Sequence, residues 1–331
     1  MNLNRRDFLK IAAGSGALLA TGGHTAMAAP RKELPPNAVG ILYDATLCIG
    51  CQSCMVNCKQ FNSMEGGALY PQKEGIPYEF PRPDQQYWDR PIDLSSNTLN
   101  VIKAFRTGTG VNKDSEADGY SFVKRHCMHC IDPACVSACP VSALIKHPDN
   151  GVVSYDKDAC IGCRYCQIAC PYNIPKFEWD EAFPQIRKCQ LCNHRYAEGK
   201  YAACCEYCPT GASIFGKVAD LQAEAKRRLT LKPGTYEEFP LQTVDSGQTI
   251  PTKVASYLNH VYGLTEGGGT QYLLMSGVSF TSLGLPDLPD EASAAVSEGI
   301  QHTLYKGMIA PAVLLAGLVF SAYRSTKDGE E

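Results

Sequence analysis

Sixteen of the chain's 17 cysteines fall into four quartets, and no other feature restricts the fold as tightly. The first is Cys48-x2-Cys51-x2-Cys54-x3-Cys58 and the third is Cys160-x2-Cys163-x2-Cys166-x3-Cys170-Pro171. The second, Cys127-x2-Cys130-x4-Cys135-x3-Cys139-Pro140, and the fourth, Cys189-x2-Cys192-x11-Cys204-x3-Cys208-Pro209, repeat the theme with longer internal loops. Cysteines at x2 steps on a tight loop bend three thiolates around three corners of one iron-sulfur cube. The x3 step then starts a helix that turns the fourth toward a second cube. Tetrahedral zinc uses two C-x2-C pairs and has no use for a third cysteine at x2. A c-type haem needs C-x-x-C-H, and none of these pairs is followed by His. At 331 residues the chain is long enough to close its cores without disulfide staples.

Four quartets predict four [4Fe-4S] clusters, and because the fourth ligand crosses over, they must be matched in pairs. The second and third lie close in sequence and form one two-cluster module; the first and fourth form the other, closed by the long return of the chain. The predicted ligand sets are Cys48/Cys51/Cys54/Cys208, Cys58/Cys189/Cys192/Cys204, Cys127/Cys130/Cys135/Cys170 and Cys139/Cys160/Cys163/Cys166. Cys205 is left over: only Cys204 gives the x3 step to Cys208-Pro209 that the other quartets share, so Cys205 is expected to be a small buried side chain. Ala143 to Lys146 and Val152 to Tyr155 read as a hairpin around His147-Pro148-Asp149-Asn150-Gly151. His126 and His129 flank ligands and read as neighbours that hydrogen-bond a sulfur rather than as ligands.

The ends of the chain carry addresses. Arg5-Arg6, the apolar stretch Ile11 to Ala20 and Ala26-Met27-Ala28 make residues 1–28 a twin-arginine signal peptide. That route carries folded proteins, so the cofactor is acquired in the reducing cytoplasm and its cysteines cross already protected. Gly307 to Tyr323 is a run of 17 residues without a charge, flanked by Lys306 and Arg324 and bordered by Tyr305 and Tyr323. It reads as one C-terminal transmembrane helix, residues 307–323, with Pro311 in its first turn and the tail from Arg324 in the cytoplasm. The expected location is therefore the periplasmic side of the inner membrane, held by that anchor.

Two segments lie outside the cysteine spacing. Residues 59–126 form an insertion too long for a simple loop, in which Leu99 to Phe105 and Tyr120 to Lys124 read as strands. It is either a docking surface or a packed extension. Residues 217–306 open with an amphipathic helix, Val218 to Leu229, and then become rich in Gly and Pro; Gly267-Gly268-Gly269 lacks the Lys-Ser/Thr of a phosphate loop. A net charge of -3 excludes a strongly basic nucleic-acid binder.

The order of the quartets, with CMHCIDPACVSACPVSAL, CIGCRYCQIACPYNIPKF and CCEYCPTGASIFG, resembles the four-cluster, ferredoxin-like electron-transfer subunits of membrane-bound respiratory oxidoreductases. VYGLTEGGGTQYLLMSGVSFTSLGLP and IQHTLYKGM are most similar to the iron-sulfur subunits of periplasmic nickel-iron hydrogenases of the hydrogenase 2 type. The resemblance implies an α+β fold, with two interlocked two-cluster bacterial ferredoxin-like modules over residues 40–216. It also implies a non-catalytic relay between hydrogenase small and large subunits and an integral-membrane quinone-reactive subunit. A formate dehydrogenase relay is the alternative. All four quartets are complete, leaving no iron open to substrate, which disfavours a self-contained enzyme; four cubes in series are excessive for a scaffold.

Overall fold

The computed structural model describes residues 32–62, 93–179 and 181–327. The signal peptide, most of the first half of the insertion and the last four residues of the tail lie outside them. The chain divides into two compact units, Arg31–Ala294 and the remainder, to which Ala295–Glu331 belongs.

In the first unit β1 (Val39–Asp44) is buried along its whole length. It leads into the first cysteine loop and then α1 (Ser53–Asn62), which turns Cys54 and Cys58 inward. After the insertion, β2 (Val101–Arg106), β3 (Asn112–Lys113) and β4 (Gly119–Arg125) form a sheet ordered β2-β4-β3. The antiparallel pair runs from Val101 opposite Arg125 to Arg106 opposite Tyr120, the two strands read from the sequence. Then come α2 (Ala134–Ser137), the hairpin of β5 (Leu144–Lys146) and β6 (Val153–Tyr155), and α3 (Tyr165–Ala169). The hairpin occupies the place that the sequence pattern gives it.

A second small hairpin, β7 (Lys176–Phe177) with β8 (Ile186–Arg187), precedes α4 (Asn193–Ala197) and α5 (Ala203–Glu206). Next, β9 (Ser213–Lys217) returns antiparallel to β1, pairing Val39 with Lys217 and Tyr43 with Ser213. This return brings the fourth cysteine quartet beside the first. Helix α6 (Val218–Thr230) follows at once and buries Val218, Leu221 and Ala225, as its periodicity predicts. A hairpin of β10 (Tyr236–Pro240) and β11 (Thr249–Lys253) comes next. Finally β12 (Tyr272–Met275) adds parallel to the other side of β1, completing the order β12-β1-β9.

The C-terminal expectation is corrected. Among the described residues no helix is long and apolar enough to cross a membrane, so the predicted transmembrane helix 307–323 and the single-helix anchor built on it are withdrawn. The uncharged run belongs instead to α7, a helix of 35 residues from Ser293 to Lys327. Its first half carries Glu298, Gln301, His302 and Thr303. The 17-residue run falls short of the roughly 20 apolar residues that a span requires, and Gly307, Gly317 and Ser321 dilute it further. Pro311 lies in the interior of α7 rather than in a first turn, because the helix begins well before Gly307.

Candidate iron-sulfur sites

The four cysteine loops share one backbone device. Two residues beyond the first cysteine of every quartet, φ is positive: 70° at Gly50, 48° at His129, 70° at Gly162 and 54° at Leu191. The left-handed turn aims a backbone N–H back at the preceding sulfur. Gly50 N lies 3.4 Å from Cys48 Sγ, Gly162 N 3.4 Å from Cys160 Sγ and Leu191 N 3.3 Å from Cys189 Sγ. Gly50 has a second reason to be glycine, since a Cβ there would stand 2.6 Å from the Phe122 ring. His129 and Leu191 adopt the same conformation at a steric cost.

Beyond the loops, the cysteines gather in fours. Cys48, Cys51, Cys54 and Cys208 line a small cavity with Tyr43 and Ser213. Cys58, Cys189, Cys192 and Cys204 line a second with Asn62, Asn100 and His126. Cys139, Cys160, Cys163 and Cys166 line a third with Tyr155, Ile161 and Arg164. Of the remaining four, Cys127, Cys170 and Cys135 lie within electrostatic range of Cys130. Between groups, Cys54 feels the charge of Cys204, Cys189 that of Cys127, and Cys135 that of Cys166.

Among the described residues, no group of three or more His, Cys, Asp or Glu side chains could hold a metal ion. The thiols stand around cavities instead of converging on a point, and their electrostatics suit a larger cationic core. Burial first, and then the negative charge of neighbouring thiols, pushes Cys48 and Cys166 up to about 11 and Cys135 up to about 12. Cys58 is raised further for the same reasons, by burial and by Cys189, Cys192 and Cys204. Buried thiols so raised resist ionising; an iron-sulfide core with positive charge would accept them as thiolates.

Cys204 is the exception. Its interaction with the Cys205 side chain, and then the nearby Lys124 charge, hold it below the ordinary thiol value. Cys205 is fully buried and lines none of the cavities described above.

The histidines that flank the ligands bond backbone through one ring nitrogen. His126 Nδ1 lies 2.8 Å from the carbonyl of Cys127, and its ring packs 4.1 Å from that of Tyr272. His129 Nδ1 accepts from Val153 N–H at 3.0 Å. Nε2 of both rings is buried without a partner among the described residues, and His126 lines the second cavity. The sulfurs are approached by other donors: Asn62 Nδ2 stands 3.7 Å from both Cys58 Sγ and Cys192 Sγ, and Lys188 Nζ 3.8 Å from Cys127 Sγ. Lys124 is fully buried and takes Ser213 Oγ at 3.1 Å as its hydrogen-bond acceptor. The only signal for these residues in the sequence is their position close to a cysteine, Lys124 before Cys127 and Lys188 before Cys189.

Cysteine loops, buried thiol groups and a leading export sequence define a class: an exported, non-catalytic iron-sulfur electron-transfer subunit. The 4Fe-4S dicluster domain family matches residues 119–218, and the twin-arginine translocation signal matches residues 2–22. The chain is 48% identical over 333 aligned residues to the hydrogenase-2 operon protein HybA of Escherichia coli O157:H7, covering 98% of this chain and 97% of the relative. The HybA of Shigella flexneri matches equally. The formate dehydrogenase iron-sulfur subunit of Haemophilus influenzae is 32% identical, over 71% of this chain and 67% of its own. The chain belongs to the HybA family of iron-sulfur proteins. Its twin-arginine signal directs it to the periplasm.

Proposed function

We propose that the chain relays electrons through four [4Fe-4S] clusters between a periplasmic nickel-iron hydrogenase and a quinone-reactive membrane subunit. The ligands are Cys48/Cys51/Cys54/Cys208, Cys58/Cys189/Cys192/Cys204, Cys127/Cys130/Cys135/Cys170 and Cys139/Cys160/Cys163/Cys166. The observation that supports this reading is the gathering of cysteines four at a time around three cavities, with thiols of different groups within electrostatic range of one another. The outer two have exposed neighbours, Ile49 and Ile161, whereas the second cavity is walled by buried residues such as Leu99, Asn100, Leu191 and Ala202. A line of centres with accessible ends can pass electrons between two partners. The clusters would supply the reversible one-electron chemistry; the chain holds them in order, shields the inner ones from water and places donors against their sulfurs.

Similarity to the hydrogenase-2 operon protein supports a hydrogenase as one partner. Deleting the protein should abolish hydrogen-dependent quinone reduction in membranes while hydrogen oxidation with a soluble dye survives, because the dye takes electrons upstream. Loss of both would indicate an assembly role, and retention of both would remove the hydrogenase. The 32% identity to a formate dehydrogenase iron-sulfur subunit favours formate as the second donor to try in the same assay.

A further inference from the structure

Lys124 and Lys188 are among the largest fully buried side chains of the described residues. A buried ammonium is tolerated only beside negative charge. Lys124, on β4, forms no ion pair with a carboxylate among the described residues. Its Nζ donates at 3.1 Å to Ser213 Oγ, on the wall of the first cavity, and the thiols of Cys54 and Cys204, lining the first and second cavities, lie within its electrostatic reach. Lys188 lies at the next junction. Its Nζ stands 3.8 Å from Cys127 Sγ of the third group and donates to the carbonyl of Cys189, a lining residue of the second, at 3.1 Å.

The second cavity is thus flanked by both cations, and Asn62 adds a donor 3.7 Å from two of its sulfurs. The cavity of Cys139, Cys160, Cys163 and Cys166 is different. Its lining is largely Val141, Ala143, Leu144, Ile161 and Ile186, and its one cation, Arg164, is exposed and lies over the Trp179 ring at 4.9 Å. Reduction adds one electron to a cube, and a fixed positive charge in a low-dielectric interior stabilises that electron far more than a surface charge does.

We propose that Lys124 and Lys188 are buried cations that raise the reduction potentials of the clusters on either side of them. The cluster of Cys58/Cys189/Cys192/Cys204 adjoins both, and that of Cys127/Cys130/Cys135/Cys170 adjoins Lys188 and also Lys146, whose Nζ donates to the Cys130 carbonyl at 2.7 Å; both stand above the Cys139/Cys160/Cys163/Cys166 cluster in potential. This rests on the four-cluster reading above, and one experiment separates the two.

The full chain, purified anaerobically, is assayed for iron and sulfide and titrated by EPR-monitored potentiometry as wild type, K124M, K188M and K226M. Each buried variant should weaken reduction of its two adjoining clusters by tenfold or more, about 59 mV for a one-electron couple. K226M removes the same charge from an exposed position and should move none. Full iron content with unmoved potentials in K124M and K188M overturns the proposal alone. A wild-type count of about eight irons instead of about sixteen overturns the four-cluster reading and the proposal with it. Should K124M shed iron, K124R and K124Q decide: arginine preserving the potential while glutamine lowers it supports the proposal, and equal potentials in the two overturn it.

Discussion

At the scale of single residues, adjacent cysteines are given different tasks by their surroundings. Cys204 faces the second cavity and is held below the usual thiol range by its interaction with Cys205 and the nearby Lys124 charge. The Cys205 thiol is pushed up by burial and by the negative charge of Cys204, so it keeps its proton and acts as a donor. Cys204→Ala should cost about four irons per chain, one cube, whereas Cys205→Ala should keep the full iron content. Loss of iron in the Cys205 variant with retention in the Cys204 variant would reverse the assignment. The left-handed residues yield a second prediction. Gly50→Ala and Gly162→Ala both force a side chain into positive φ, at about 1–2 kcal/mol each. Only Gly50→Ala also drives a Cβ into the Phe122 ring, because the nearest atom to Gly162 is 3.7 Å away. Thermal unfolding should therefore show the larger drop for Gly50→Ala.

At the scale of elements, α6 is clamped to β1 by a buried ionic cluster. Arg228, fully buried, donates to Asp44 Oδ2 at 2.9 Å and to Glu224 Oε1 at 2.8 Å, and its guanidinium lies 4.8 Å over the Phe239 ring. The Tyr257 hydroxyl donates to the same Asp44 oxygen at 2.7 Å. Removing Arg228 strands a carboxylate that is also fully buried, so Arg228→Met should cost about 3–5 kcal/mol, read as a lower unfolding temperature. Asp44→Asn in the same chain should cost less than it does alone, since the two share one interaction. The pH dependence has a definite sign. Burial alone would raise Glu224, but its hydrogen bonds and ion pairs with Arg227 and Arg228 outweigh burial and hold it below the ordinary 4.5. Its contribution is complete above that value and is lost as pH falls through the lower folded one. Acid titration of stability should show this loss in the wild type and not in Glu224→Gln.

This helix was legible in the sequence because Val218, Leu221 and Ala225 repeat on one face. The hairpin of β5 and β6 was legible from its turn residues, and the strands of the insertion from the glycine-rich turns they flank. Strand β12 was not. Tyr272 to Met275 sits in a glycine-rich stretch, and its partner on β1 lies more than two hundred residues earlier, so no local pattern marks the pairing. The site divides in the same way. Cysteine spacing singles out the sixteen thiols, since a cube needs them at fixed steps. Lys124, Lys188 and Asn62 reach the sulfurs only through tertiary packing. The helix α7 was misread for a related reason: absence of charge marks an apolar run, but not where its helix begins.

At the scale of the whole molecule, electron transfer depends on order. Thiols of different groups lie within electrostatic range of one another, Cys54 with Cys204, Cys189 with Cys127 and Cys135 with Cys166. In the proposed relay the clusters pass electrons in that order, and the Cys58/Cys189/Cys192/Cys204 cluster lies on the route between the ends. A lesion there divides the relay unequally, leaving one cluster on one side and two on the other. A Cys192→Ala chain that retains about twelve irons, assembled with its hydrogenase, should therefore reduce under hydrogen either one or two of its three remaining clusters. The number, counted by EPR against a dithionite-reduced control, also reports which end meets the hydrogenase, one for the Cys48 end and two for the Cys139 end. Hydrogen-dependent quinone reduction should be lost in the same preparation while dye reduction by the hydrogenase persists. Reduction of all three clusters by hydrogen would mean that electrons bypass the second position, and the linear relay would have to be abandoned.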